Sequence, residues 1–236
     1  MNEKKNFLSC EKRIVFELLM LAAGMMGAYT FNLRGGVFCN AQTANFVMMA
    51  VKLGQKDWIG GIYFLIPIGA YFAGSVISEI VPKPIKKITL FRWDTWLIGF
   101  EAAVLIAVGF IPLSVSDHVV QVIINFICSM QYNTFRQAES IPMATTFCTN
   151  HLRQTGIWTV KTIKNRNAES FERLRSHAMM LAVFFLGGLA ETVACDLVSE
   201  KAIWLAIIPL GINLIILIYA DLVKEKELME KVPMGH

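Results

Sequence analysis

The sequence predicts an all-α integral membrane protein of about six transmembrane helices. They form two three-span repeats in inverted orientation, each with a short interrupted or re-entrant polar helix. Three observations predict this. First, the chain of 236 residues is 55% hydrophobic and 17% charged, against averages near 45–50% and about 25%. Second, its apolar runs match the roughly 20 helical residues needed to cross about 30 Å of hydrocarbon. Third, the order of elements repeats: span, polar segment, span, span.

Residues 1–13 read as a cytoplasmic N-terminal segment carrying Lys4, Lys5, Lys12 and Arg13. Residues 14–31 are the first span. The run exceeds the roughly 7–15 apolar residues of a cleaved signal and leads into further spans, so it reads as an uncleaved helix. Residues 58–80 and 96–113 complete a first membrane repeat over 14–113. The second repeat, 114–223, holds a short apolar run at 119–130 and longer ones at 178–198 and 202–219. Residues 224–236 are a cytoplasmic tail.

Positive charge marks cytoplasmic loops. In a six-span arrangement with both termini inside, Arg34, Lys52, Lys56 and Lys201 fall outside and Arg153 lies in the membrane. The other 17 of the 22 Lys and Arg fall inside. Letting the polar segments cross gives eight spans and a poorer split, about 14 to 7. Three crossings per half invert the second half relative to the first. "YFAGS" at 71–75 and "FFLGG" at 184–188 are matching pieces of the two halves.

The polar segments interrupt this apolar frame at equivalent places, "VFCNAQTANF" at 37–46 and "TTFCTNHLRQTG" at 145–156. Interrupted segments in corresponding positions of inverted halves point to a binding site. Asn and Thr are good helix N-caps, so each cluster reads as the start of a short helix inside the protein. Two N-termini facing each other favour a small polar or anionic solute. Thr43, Asn45, Thr149, Asn150 and Arg153 are the primary candidates, Arg153 supplying a full charge. Asn40, Gln42, Gln131 and Asn133 form a second tier. Interhelical hydrogen bonding is the competing reading for each amide and hydroxyl, and headgroup anchoring is the competing reading for Arg153, Arg34 and Arg136. Gly35–Gly36 suits a sharp turn. Glu17, Glu101 and Glu191 interrupt apolar runs; Glu191, after Gly187–Gly188, is the candidate coupling acid.

Several classes are excluded or unsupported. Cys10, Cys39, Cys128, Cys148 and Cys195 form no CxxC pair, so neither a disulfide framework nor zinc is expected. Histidines 118, 151, 177 and 236 have no metal-ligand spacing. No HExxH, GxSxG, Walker or dinucleotide motif is present, so no catalytic residue, metal or cofactor is expected. No basic patch interleaves with exposed aromatics, so no nucleic acid is expected. The partners are the lipid bilayer and the solute, with a homo-oligomer left open. A secondary transporter is the leading function; a passive channel and a membrane scaffold or assembly protein are the alternatives.

"GGVFCNAQTANFV", together with "MQYNTFR" and "ATTFCTNHLRQTG", resembles the YoaK-like bacterial membrane proteins, a family of unknown function. The resemblance runs from residue 14 to about residue 220. It implies a bacterial cytoplasmic membrane and no particular substrate. The family's polar segments usually read T-G-N, where this chain has Thr43-Ala44-Asn45 and Thr149-Asn150-His151. Many members also carry an Asp in the first span, where this chain has Gly27; the resemblance therefore implies an altered site.

Overall fold

The computed structural model describes residues 7–81, 90–229 and 231–233. Lys4, Lys5, Lys83, Lys86, Lys87 and His236 lie outside them. The described chain is helical apart from one small hairpin. A short 3₁₀ turn, Ser9–Glu11, precedes α1, Arg13–Leu33. Then come α2 (Gln42–Gly54), α3 (Trp58–Tyr63), α4 (Leu65–Ile80), α5 (Trp93–Val108) and α6 (Asp117–Thr134). Strands β1 (Gln137–Ala138) and β2 (Ile141–Pro142) form the hairpin. The rest is α7 (Thr149–Asn165), α8 (Ala168–Val198), a 3₁₀ stretch Ser199–Ala206, α9 (Ile207–Tyr219), a π-helical turn Ala220–Lys224 that continues it, and a 3₁₀ turn Lys226–Leu228.

Among the described residues three helical stretches are long and apolar enough to cross a membrane: Arg13–Leu33, Trp58–Ile80 and Ala168–Lys224. The third has 57 residues, too long for one crossing at 1.5 Å per residue. It breaks at Ser199, whose φ of 55° no helix accommodates. Two boundaries differ from the sequence reading. Helix α6 continues through Gln131 and Asn133 instead of ending at residue 130, because those side chains find partners on the helix surface. Helix α8 starts ten residues before the apolar run, in a charged first turn capped by Asn167, which accepts from Ser170 N at 2.9 Å.

Side-chain contacts fix the helix directions. Arg13 meets Glu172 and Asn32 meets Thr192, so α1 and α8 run parallel. Gly74 faces Phe126 and Ser78 meets Asn133, so α4 and α6 run parallel. Thr95 meets Asp221 while Gly109 meets Trp204, so α5 and α9 are antiparallel. Trp93 bonds Thr134, and Gln121 bonds the Arg34 carbonyl, so α6 opposes both α5 and α1. Hence α1, α5 and α8 point one way and α4, α6 and α9 the other. The first and last described segments meet at one end, where Ser9 N and Oγ donate to Glu225 Oε1 at 2.8 and 2.7 Å. This is called the terminal end below; the opposite one is the far end.

The parallel pairs pack closely at small residues. A Cβ on Gly24 would overlap the Phe184 carbonyl, one on Gly187 the Leu21 carbonyl, and one on Gly74 the Phe126 carbonyl. Small residues drive membrane helices together by letting backbones approach. Gly74 and Gly187 occupy the same place in "YFAGS" and "FFLGG", and each meets a parallel partner helix.

Gly187→Ala therefore lowers thermal stability by the equivalent of about 1–3 kcal/mol. Gly188→Ala is nearly silent, because its Cβ would lie 3.6 Å from the Gly24 carbonyl, an ordinary contact. Melting of the two variants in detergent checks the pair; equal losses would refute the close crossing.

Candidate functional site

Two helices, α2 and α7, start inside the bundle after unwound stretches. Helix α1 ends at the far end. The chain reverses at Gly35–Gly36, with φ of 79° and 68°, values open to glycine at no steric cost. It then returns inward. Asn40 Nδ2 donates to the Ala23 carbonyl at 3.1 Å, halfway along α1. Gly27 makes room there; its Cβ would lie 2.7 Å from Asn40 Nδ2. Helix α2 begins at this depth and leads back to the far end. There Asp57 caps α3 through Gly60 N at 2.9 Å. That bond and the Lys52 ammonium hold the Asp57 carboxyl below its usual range. The Tyr63 ring lies 3.7 Å from that of His118 at the start of α6. So α2 enters and leaves at the same end.

The second segment does the reverse. It leaves α6 at the terminal end and makes the β1–β2 hairpin through Glu139 and Ser140, both at positive φ, as a two-residue hairpin turn requires. It passes Gln131, whose Nε2 donates to the Thr145 carbonyl at 3.0 Å. Helix α7 then starts at Thr149 and returns to the terminal end. The two segments meet α6 at Asn125 and Gln131, about 9 Å apart along its axis.

A side-chain chain ties the first segment to α6. Asn45 Nδ2 donates to Gln42 Oε1 at 2.9 Å, and Gln42 Nε2 to Asn125 Oδ1 at 2.5 Å. Asn125 Nδ2 donates to the Gln121 carbonyl and Gln121 Nε2 to the Arg34 carbonyl, each at 2.7 Å. Arg34 is fully buried and donates to the Tyr29 hydroxyl and to the carbonyls of Ile111 and Pro112. In the second segment His151 Nε2 lies 2.8 Å from the Ala144 carbonyl, and His151 Nδ1 lies 3.0 Å from His177 Nδ1. Among the described residues Gln121 Oε1, Gln131 Oε1 and the Thr145 hydroxyl are buried without a hydrogen-bond partner. So are both carboxylate oxygens of Glu101 and of Glu191.

The structure brings together Asn40, Gln42 and Asn45, with Gln131 one segment away. Asn150 is half-buried, and Thr43, Thr149 and Arg153 are exposed. Arg153 donates to Asn150 Oδ1 at 2.9 Å on that exposed side. Asn133 turns to α4, donating to Ser78 Oγ at 2.8 Å beside the Arg136–Glu79 ion pair. Arg136 is thus paired at the surface, whereas Arg34 is no headgroup anchor. The expected caps are absent: Ala41 and Cys148 occupy the N-cap positions of α2 and α7, and neither supplies a side-chain bond. The first-turn N–H groups are accordingly uncapped by side chains.

Gln121, Asn125, His151 and His177 escaped the sequence reading. For α6 a signal existed: Gln121, Asn125, Ser129 and Asn133 recur every four residues, a polar stripe along one helical face. The histidines are 26 residues apart and carried no such signal. At the terminal end a cleft of about 480 Å³ is lined by Arg13, Glu17, Glu139, Glu172, Arg175 and Ser176 among others.

A family described as a protein of unknown function, DUF1275, matches residues 15–216. The chain belongs to this family. In this DUF1275 protein the match spans both polar segments and both parallel helix pairs. No curated protein and no solved structure matches the chain.

Asn125→Ala strands Gln42 in the interior and costs about 1–3 kcal/mol. Thr43→Ala, on the exposed side, stays within about 0.5 kcal/mol of wild type. Parallel thermal melts check both, and an Asn125→Ala protein as stable as wild type would remove the network from the fold's support.

Proposed function

We propose that this protein is a secondary transporter of a small polar or anionic solute in the bacterial cytoplasmic membrane, built from two inverted three-span halves. The observation that carries this reading is that buried acceptors without partners stand beside each re-entrant segment, Gln121 Oε1 at the first and Gln131 Oε1 and Thr145 Oγ1 at the second. Buried polar atoms are normally hydrogen-bonded, and irregular backbone at membrane depth is tolerated against protein or a water-filled cavity. Acceptors held open at that place suit a solute offering N–H or O–H donors. The uncapped first turns of α2 and α7 suit its anionic or carbonyl end.

The pattern of helix contacts supports the repeat. Exchanging α1 with α6, α2 with α7, α4 with α8 and α5 with α9 turns the principal packing pairs into one another: α1–α8 into α6–α4, and α1–α9 into α6–α5. Alternation of helix direction supports six crossings with both termini on one side. Arg13, Arg92, Arg136, Arg173 and Arg175 lie toward the terminal end, which supports a cytoplasmic assignment for it. The YoaK-like resemblance is compatible with the family match and assigns no substrate.

The binding group in this reading is Asn40, Gln42, Asn45, Gln121, Asn125 and Gln131. Arg153 stays outside it, on the exposed side of α7.

Two measurements test the proposal. Single cysteines at Gln55 and Asn165, both exposed, are labelled from outside intact cells in a cysteine-free background. Gln55 labels and Asn165 does not; labelling of both, or of neither, contradicts the inverted halves. In proteoliposomes, uptake of radiolabelled polar solutes saturates and falls at least about tenfold in Gln121→Leu, the equivalent of about 1.4 kcal/mol. Non-saturable flux would instead identify a channel.

A further inference from the structure

His151 and His177 form a buried imidazole pair in the second half, at the start of α7. His151 stands third in Thr149-Asn150-His151, as Asn45 stands third in Thr43-Ala44-Asn45. Both side chains are buried. The first half thus places an amide where the second places a titratable ring.

The hydrogen bonds fix the protons of the pair. A carbonyl oxygen only accepts, so the 2.8 Å bond from His151 Nε2 to the Ala144 oxygen puts the His151 proton on Nε2. Neutral His151 then presents a bare Nδ1. The proton in the 3.0 Å contact belongs to His177 Nδ1. This leaves His177 Nε2 as a lone pair, with no hydrogen bond among the described residues. One further proton adds at His177 Nε2 without disturbing either bond. The Nδ1–H then donates from an imidazolium, which strengthens the contact. A second added proton must go to His151 Nδ1, directly against the His177 Nδ1–H, and breaks it. The capacity of the intact pair is therefore one proton.

We propose that the His151–His177 pair is a proton-binding site that takes up one proton per transport cycle, which makes the proton the coupling ion. The proposal rests on the transporter reading above. The pair is wired to the solute site through one short stretch: Ala144 accepts from His151, and the next carbonyl, Thr145, accepts from Gln131. Loading the pair thus acts on the backbone that carries an open acceptor. Arg173 on α8 bears directly on His177; Arg13 and Glu17 on α1, Glu139 on the hairpin and Glu172 and Arg175 on α8 line the cleft that reaches the adjoining Ser176, and Arg153 follows His151 on the exposed side of α7. Arg173 is offset by Glu169 at 3.3 Å, and Arg13 by Glu139 at 2.9 Å.

The test reads the proton first and the flux second. Protein labelled with ¹⁵N-histidine in lipid nanodiscs is titrated by NMR from about pH 8 to about pH 3, reaching below histidine's ordinary range because the pair is buried and Arg173 lies beside it. The expected result is an Nε2–H tautomer for His151, an Nδ1–H tautomer for His177, a scalar coupling across their contact, and one proton gained by the pair. His151→Asn, which restores the amide found at Asn45, abolishes the coupling. A pair that gains two protons, or none, overturns the proposal. In proteoliposomes loaded with a pH-sensitive dye, a gradient of each polar solute in a panel is then imposed. Wild type moves protons with the transported solute. His177→Gln loses that proton movement at least about tenfold but keeps solute–solute exchange; undiminished proton movement in His177→Gln overturns the proposal. If His177→Gln fails to fold, His151→Asn gives the same readout. A panel in which no solute moves counts against the transporter reading, and the titration alone then decides the proton site.

Discussion

The structure depends on one constraint: backbone polar groups that leave regular helices inside an apolar bundle must be satisfied by the protein itself. The unwound stretches that lead into α2 and α7 are where this constraint is met. Gln121 takes the Arg34 carbonyl, Gln131 that of Thr145 and His151 that of Ala144, while Asn40, on the first stretch itself, donates to the Ala23 carbonyl of α1. Each is a side-chain donor serving a carbonyl. The clusters of amides between apolar runs exist for this reason before any question of solute. Among the buried polar atoms left without a partner, the oxygens of Gln121, Gln131 and Thr145 belong to these same contacts.

Close helix approach follows from the same constraint. An amide reaches a carbonyl in the wall of a neighbouring helix only where that helix is thin. Gly27 supplies the thin place for Asn40, and Gly35 lets Gln121 reach across, since its Cβ would lie 2.8 Å from Gln121 Nε2. The parallel pairs α1–α8 and α4–α6 use Gly24, Gly187 and Gly74 in the same way. Glycine thus appears at two kinds of place, the reversal after α1 and the crossings, and in both the requirement is space or positive φ.

The helices were legible because their length is set by hydrocarbon thickness, which the sequence records directly. Residues 58–80 have the same bounds in sequence and structure. Helix α8 was legible only in its apolar part, since its first turns are charged and packed by Arg13 and α7. The amide stripe of α6 was present as a four-residue period, but a search for apolar runs discards that information. Cap positions misled because the first-turn Asn and Thr read as caps sit inside the helices, while Ala41 and Cys148 hold the boundaries. Pairing of His151 with His177 depends on the register of two antiparallel helices across a loop, and no local pattern encodes it. Exposure of Arg153, against the burial of Arg34, was equally invisible: both are arginines beside polar segments, and only packing separates them.

That separation bears on how the two ends of the bundle are held. At the far end Arg34 is fully buried, with its guanidinium spread over the Tyr29 hydroxyl and two carbonyls at the end of α5. Withdrawing it would leave a cation and two carbonyls without partners in a dry environment, a cost of several kcal/mol. At the terminal end the corresponding arginine, Arg136, forms a partly exposed pair with Glu79 at 2.9 Å. Arg13 joins Glu139 and Glu172 around the open cleft. Exposed ion pairs are worth about 0–1 kcal/mol each and exchange readily for water. The sequence-equivalent cations thus hold their ends in different ways: Arg34 inside the bundle against neutral oxygens, Arg136 at the surface against a carboxylate.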